Sequence, residues 1–317
     1  MPRIVSLLPA ATEIVCVLGA RNELVGRSHE CDWPRGVESL PALTRAKLPT
    51  ADTSVVIHDR VTELVTRGLS IYEVDRAKLA ELQPRVIITQ AHCKVCAASL
   101  DEVEAAVAVA LGHHEGNGSG PKPIVVATEP VDLGSVFNDV QRVASAIGRE
   151  TAGERLLRTM HGRMDALARR AAKLPRVRVA TLEWLDPLMT GGNWMPELID
   201  MAGGADLFGT PGQHSPRLDL DELVAADPDV ILIVPCGFGL EQTRRELSAL
   251  KALPGFGELR ALRTGRVVIA DGNRYFNRPG PRLVESLEIL AEILHPDAFL
   301  FGHEGDGWEV VAHSSET

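Results

Sequence analysis

The chain has 317 residues, 45% hydrophobic and only 4% aromatic, which is aliphatic material for a folded core along most of its length and more chain than one core usually serves. Its 33 basic side chains face 43 acidic ones, a formal charge of −10. Such a surface repels phosphate backbones and anionic lipid, so neither a nucleic-acid partner nor stable membrane association is expected.

The first residues run from Met1-Pro2-Arg3 straight into Ile4-Val5-Ser6-Leu7-Leu8, without the basic, apolar and small-residue order of a secretory leader. No apolar run reaches the roughly 18 residues of a membrane span. Five cysteines, an odd number in a chain of this size, do not form a disulfide scaffold and are expected as thiols of a reducing compartment. The expected location is the cytoplasm.

Short β-branched runs stand at residues 4–8, 24–28, 86–89 and 124–127, and again at 177–182, 230–234 and 267–270. Helical patterns lie between most of them, which predicts parallel sheets covered on both faces, a doubly wound α/β arrangement. Between the two groups, Asp132 can cap a helix carrying Leu133, Val136, Val140, Val143 and Ile147 on one face, and a second helical pattern follows Gly148. Arg155, Arg158, Arg163, Arg169 and Arg170 surround that second pattern and read as its solvated side. The chain therefore divides into an N-terminal lobe (1–131), a connecting helical stretch (132–173), a C-terminal lobe (174–300) and a flexible tail (301–317).

The two lobes echo each other. Leu79-Ala80-Glu81-Leu82-Gln83-Pro84 before Arg85-Val86-Ile87-Ile88 has the form of Leu223-Val224-Ala225-Ala226-Asp227-Pro228 before Asp229-Val230-Ile231-Leu232: a helix end, a proline stop, then a buried strand. A looser echo links Glu13 to Gly26 with Glu197 to Gly209, in the same order, and together they favour duplicated lobes.

Ligands of open parallel sheets sit beyond the carboxyl ends of the strands. Three such loops carry cysteine: His29-Glu30-Cys31-Asp32-Trp33, Gln90-Ala91-His92-Cys93-Lys94-Val95-Cys96, and Pro235-Cys236-Gly237-Phe238-Gly239. Cys31, Cys93, Cys96 and Cys236, with His29, supply enough soft donors for zinc or an iron–sulfur cluster; redox chemistry and simple lining of a pocket are the other two readings of these thiols. Cys16 reads as core, and His113 and His114 as loop residues. In the C-terminal lobe, Glu183, Trp184, Asn193, Trp194, Tyr275, Phe276 and Arg278 fall in strand-end or helix-start loops, where aromatic side chains suit a flat ligand. Glu183 and Asp186 are the only pair suggesting acid–base work, and hydrogen bonding near the site is the expected role of both. No phosphate-loop, nucleophile-elbow or metalloprotease motif occurs, so a binding protein is expected in preference to an enzyme.

At Arg3-Ile4-Val5-Ser6-Leu7-Leu8-Pro9-Ala10-Ala11-Thr12-Glu13, at Val25-Gly26-Arg27-Ser28 with Asp32-Trp33-Pro34, at Leu82-Gln83-Pro84-Arg85-Val86, at Met201-Ala202-Gly203-Gly204-Ala205-Asp206-Leu207-Phe208 and at Arg278-Pro279-Gly280-Pro281-Arg282, the chain resembles the cobalamin and siderophore substrate-binding proteins of ABC transporters, and its cobalamin-binding branch most. The resemblance implies two doubly wound lobes joined by a long backbone helix, the class III periplasmic-binding-protein arrangement, with a cleft for a metal chelate, cobalamin or a related corrinoid above all. It places ligand contacts at Asp32, Trp33, Gln90, His92, Asn193, Trp194, Tyr275, Phe276 and Arg278. Three features depart from it: the missing leader, the extra thiols, and an insertion-like segment at 53–68. With a cytoplasmic location, delivery, storage or sensing is expected in place of transport, which makes an ABC permease partner doubtful.

Overall fold

Proline cannot continue a helix but its fixed φ suits a first helical turn, and that asymmetry punctuates the chain from its start. Strand β1 (Ile4–Ser6) turns through Leu7-Leu8 into helix α1 (Pro9–Val17), which opens on Pro9. The structure is a computed structural model that describes residues 2–48, 52–67, 71–91, 100–110 and 122–311. Its contacts divide into two units: Met1–Asp52, Asp59–Pro130 and Gly134–Thr159 form the first, and Thr53–His58, Val131–Leu133 and Met160–Thr317 the second.

After α1 come β2 (Leu24–Arg27), β3 (Thr44–Ala46), α2 (Ser54–Thr66), β4 (Tyr72–Val74), α3 (Arg76–Leu82), β5 (Val86–Gln90), α4 (Leu100–Ala110), β6 (Ile124–Thr128), α5 (Leu133–Ala146) and α6 (Glu150–Ala171). The sheet of the first unit runs β2-β1-β5-β6, parallel throughout, and β3 pairs antiparallel with β4 as a separate ribbon. All five residues of β5 are buried, as a central parallel strand covered on both faces requires. On one side its core joins Ile4, Val86 and Ile88 to Ile14 and Val15 of α1 and to Val140, Val143 and Ile147 of α5, the stripe read from the sequence. Gly148, at φ +67°, ends α5 before α6 begins. The segment 53–68, expected as an insertion, supplies α2.

The second unit continues with β7 (Val177–Leu185), β8 (Leu188–Thr190), α7 (Met195–Met201), β9 (Gly204–Asp206), α8 (Leu220–Ala226), β10 (Val230–Ile233), α9 (Leu240–Lys251), α10 (Arg260–Arg263), β11 (Val267–Ala270), α11 (Leu283–Leu294) and β12 (Trp308–Val310). Its sheet runs β12-β11-β10-β7-β8. β7, β10 and β11 are parallel, β9 adds in parallel to the start of β7, and β8 and β12 pair antiparallel. A core of Leu182, Ile231, Ile233 and Ile269 packs under Leu223, Leu247, Leu250 and Phe256.

The repeat seen in the sequence reaches the backbone. α3 ends on Gln83 at φ +44° and α8 on Asp227 at φ +39°, and each donates its N–H back to the residue four earlier, Leu79 and Leu223. A left-handed residue terminates each helix, a proline forbids its continuation, and the central strand of each sheet follows.

One expectation fails here. The tail read as flexible from residue 301 is ordered through Val311: β12 pairs with β11, and the buried carboxylate of Glu292 accepts N–H groups from Phe301, Gly302 (2.5 Å) and His303 (3.2 Å) and from the Trp308 indole (3.0 Å). Glycines and polar residues suggest a loose end, but a buried acid on α11 gathers their donors.

Candidate functional site

Beyond the carboxyl ends of the strands in the first unit lies a floor of buried hydroxyls. Ser6 ends β1, Thr12 stands above it on α1, Ser28 follows β2, and Thr44 opens β3; all four are buried. The Thr12 hydroxyl donates to Ser6 Oγ (2.9 Å), which donates to the carbonyl of Leu8 (3.0 Å), and Thr12 Oγ1 lies 3.0 Å from the Cys31 sulfur. Thr44 Oγ1 donates to Ser28 Oγ (2.9 Å), takes the backbone N–H of His29 (3.1 Å) and stands 2.8 Å from His29 Nδ1. Tyr72 of β4 completes this group, donating its phenol to Glu30 (3.1 Å) with its ring 5.7 Å from that of His29. The floor continues through Gln90, buried at the end of β5, and Thr128 at the end of β6, whose hydroxyl donates to the carbonyl of Thr89.

Over this floor Asp32 is exposed and Trp33 half-buried. The His29 ring is half-buried, and burial followed by the charge of Arg27 lowers its pKa below the usual value. Cys31 is 1% exposed. His92, Cys93 and Cys96 lie outside the described residues, as do His113 and His114. Cys16 packs half-buried against the α1 core, where burial pushes its pKa up to about 11.

In the second unit, Glu183 lies within β7, not in a loop after it, and ties two strand-end loops to that strand. Its backbone carbonyl accepts from Cys236 N (3.1 Å) after β10, and its carboxylate from Gly192 N (3.3 Å) after β8. Trp184 is half-buried, with its indole donating to the Asp186 carbonyl (3.0 Å) and its ring edge-on to Phe238 at 5.4 Å. Asn193 sits at φ +52° before α7. After β11, Asp271 caps a short π turn, Gly272–Phe276, by accepting from Arg274 N (2.7 Å). Burial raises the Asp271 pKa against the pull of that bond and of Arg274, Arg278 and Arg282.

Three residues expected to line a pocket are buried. Trp194, Tyr275 and Phe276 are 7%, 5% and 0% exposed. The Trp194 indole donates to the Phe276 carbonyl (3.0 Å), and Arg282 stacks on Tyr275 at 4.6 Å. They form the underside of the loops that carry Asn193 and Arg278, because a loop folded down over strand ends buries its flat side chains as a strand would. Arg278 is itself buried and donates to Asn273 Oδ1 (3.1 Å).

The four-thiolate reading is not favoured. Among the described residues no three of His, Cys, Asp and Glu come together as a metal site, and Cys31 is enclosed beside a threonine hydroxyl. Sequence reasoning also missed Thr12, Thr44, Tyr72, Asp271 and Arg282 as parts of the site. A cavity of about 720 Å3 opens elsewhere in the first unit, against the β3–β4 ribbon and α4. Thr44 touches it, and none of the residues singled out from the sequence lines it.

The periplasmic binding protein family model matches residues 4–273. The chain belongs to that family. An uncharacterized ABC transporter substrate-binding lipoprotein, YvrC of Bacillus subtilis, is 21% identical over 303 residues, covering 94% of this chain and 81% of that protein. The vitamin B12-binding protein of Vibrio vulnificus is 20% identical over 292 residues, covering 92% and 89%. Among solved structures, the periplasmic heme-binding protein RhuT from Roseiflexus sp. RS-1 superposes with a TM-score of 0.67 at 22% identity, over 94% of this chain and 99% of that one. At that identity the likeness establishes the fold, class III of the periplasmic binding proteins.

These relatives correct the expected location. Two of them are a lipoprotein and a periplasmic protein by name, and the cytoplasmic assignment, drawn from the first residues and the cysteine count, does not survive them. With it falls the ground for doubting an ABC permease partner. No helix of the described residues is long and apolar enough to cross a membrane.

Proposed function

We propose that this chain is the substrate-binding component of an ABC transporter and that its ligand is a planar metal chelate, a corrinoid in preference to a heme. The observation that carries the reading is the alignment, over nine-tenths of the chain, with a protein named for binding vitamin B12; a heme-binding structure of the same fold supports the chelate class. The geometry is compatible with it. In the first unit Trp33 is half-buried beside the exposed Asp32, and in the second Trp184 is half-buried near the end of β7; aromatic side chains at strand ends suit a flat ligand. Glu183, by contrast, is engaged in holding loops together and is assigned no chemistry.

Titration of the purified protein with hydroxocobalamin, cyanocobalamin and hemin, followed by absorbance and by quenching of tryptophan fluorescence, tests the proposal. Saturable one-to-one binding of a cobalamin in the micromolar range or tighter is expected, with hemin weaker. Hemin bound tighter than either cobalamin overturns the preference, and no binding of any of the three at high micromolar concentration overturns the chelate reading itself.

A further inference from the structure

The hydroxyl floor of the first unit contains a histidine with one nitrogen committed and the other uncommitted. Thr44 Oγ1 donates its only proton to Ser28 Oγ (2.9 Å) and accepts the backbone N–H of His29 (3.1 Å). Its remaining lone pair faces His29 Nδ1 at 2.8 Å, so Nδ1 must be the donor of that bond. Ser28 Oγ also accepts from Glu30 N (3.3 Å). The chain of bonds fixes the Nδ1–H tautomer and leaves the lone pair on Nε2.

That nitrogen bonds no described residue, and it is absent from the polar atoms closed off from solvent without a partner. The ring is half-buried, with burial favouring its neutral form, and is held between Thr44 and the Tyr72 ring at the end of β2, on the side of the sheet where a ligand sits. A metal-binding imidazole has this form: one nitrogen donates its proton to a fixed acceptor and orients the ring, and the other is bare toward the metal. The neighbouring donors are placed otherwise. The Cys31 sulfur is enclosed next to Thr12, and the Tyr72 phenol donates to Glu30.

We propose that His29 Nε2 binds the metal ion of the chelate directly, as a single axial ligand, with Thr44 as its positioning residue. The inference rests on the chelate reading above and adds to it the atom that touches the metal. The step is a ligand exchange: the water on the open axial face of the chelated metal leaves, the Nε2 lone pair takes its place, and neither a proton nor an electron moves.

The probe is hydroxocobalamin near pH 6.5, in its aquo form, added to wild type, His29→Ala and His29→Gln, with cyanocobalamin as a control whose upper axial position is blocked. Wild type is expected to shift the corrin bands to those that free imidazole produces. Both variants are expected to bind roughly tenfold or more weakly, without that shift, and cyanocobalamin to bind all three proteins alike. Long-range proton–nitrogen NMR of the ligand-free protein is expected to show His29 as the Nδ1–H tautomer. Binding to wild type with an unshifted spectrum, a shift that persists in His29→Ala, or an Nε2–H tautomer overturns the axial assignment and leaves the chelate reading standing. Failure of wild type to bind either cobalamin or hemin overturns both. Matched thermal melts of the two variants separate loss of ligation from loss of fold.

Discussion

Replacing Thr44 by valine removes one hydroxyl from the site and little else, since the side chains are nearly isosteric and no cavity opens. Three bonds go with it: from His29 N at 3.1 Å, from His29 Nδ1 at 2.8 Å, and to Ser28 Oγ at 2.9 Å. A neutral hydrogen bond contributes about 1 kcal/mol net, and a buried donor left without a partner costs about 1–3 kcal/mol. The half-buried ring can give its Nδ1 proton to water, so the cost concentrates on the His29 amide and on Ser28, which is buried and keeps only the 3.3 Å bond from Glu30 N. The expected loss is about 2–3 kcal/mol. Thr44→Ser keeps the hydroxyl and loses a methyl, for about 1 kcal/mol. Hydrogen exchange at the His29 amide reports the local opening, and urea unfolding the global change. Thr44→Val within about 0.5 kcal/mol of wild type, with His29 N–H still protected, refutes the assignment of Thr44 as the acceptor that holds this loop.

Three further outcomes follow from other parts of the chain. Glu292→Gln puts an amide where a carboxylate gathers four N–H donors; whichever oxygen it replaces, donors face donors, and a loss of about 3 kcal/mol, with exchange of the Gly302 and His303 amides, is expected in denaturation and NMR experiments. The Glu288 carboxylate, 3.1 Å from His303 Nε2, raises the pKa of His303, and its own pKa falls because bonds from His303 and Arg163 outweigh burial. The histidine's contribution is complete below its ordinary value of 6.5 and lost as pH rises through the raised one; the glutamate's is present above 4.5 and lost as pH falls through the depressed one. Protection of residues 301–311, corrected for intrinsic exchange, should peak between these limits, and Glu288→Gln should shrink the alkaline decline, Glu292 and Glu285 still acting on His303. Gly192→Ala would place a Cβ 2.4 Å from Ser215 N and 2.7 Å from the Gln213 carbonyl, both backbone atoms; about 1–3 kcal/mol of destabilisation, with displacement of Asn193 visible in its amide shift, is expected.

The parallel strands other than β9 were legible in the sequence because burial in a covered sheet writes itself as continuous β-branched runs. All seven runs became strands, β1, β2, β5, β6, β7, β10 and β11. The strands that were not legible are β3, β4, β8, β9 and β12, each three residues long, too short to show a period of two and stabilised by the neighbour they pair with. This gap cost the site more than the fold. His29 was visible as a residue type at a strand end, but the side chains that define its chemistry, Thr44 and Tyr72, arrive on β3 and β4. Trp194 and Tyr275 were misplaced for a related reason: loop position says that a side chain is near the strand ends, and only packing decides whether it faces up from them or down.

The cysteine count misled about the compartment because counting presumes that thiols are chemically available. Cys31 is enclosed at 1% exposure beside the Thr12 hydroxyl, and Cys16 is packed against a helix core that holds its pKa near 11. Oxidation and disulfide exchange proceed through the thiolate, which is scarce at such a pKa and inaccessible at such burial. Thiols of this kind persist unpaired in an oxidising compartment as well as in a reducing one, so they carry no information on where the protein works. What Cys31 does carry is positional: it marks the loop whose preceding residues, Ser28 and His29, are bonded to Thr44. Of the first-unit residues once read as a thiolate cluster, the described ones are an imidazole bonded to Thr44 and a buried thiol beside Thr12, while Cys93 and Cys96 lie outside the described residues.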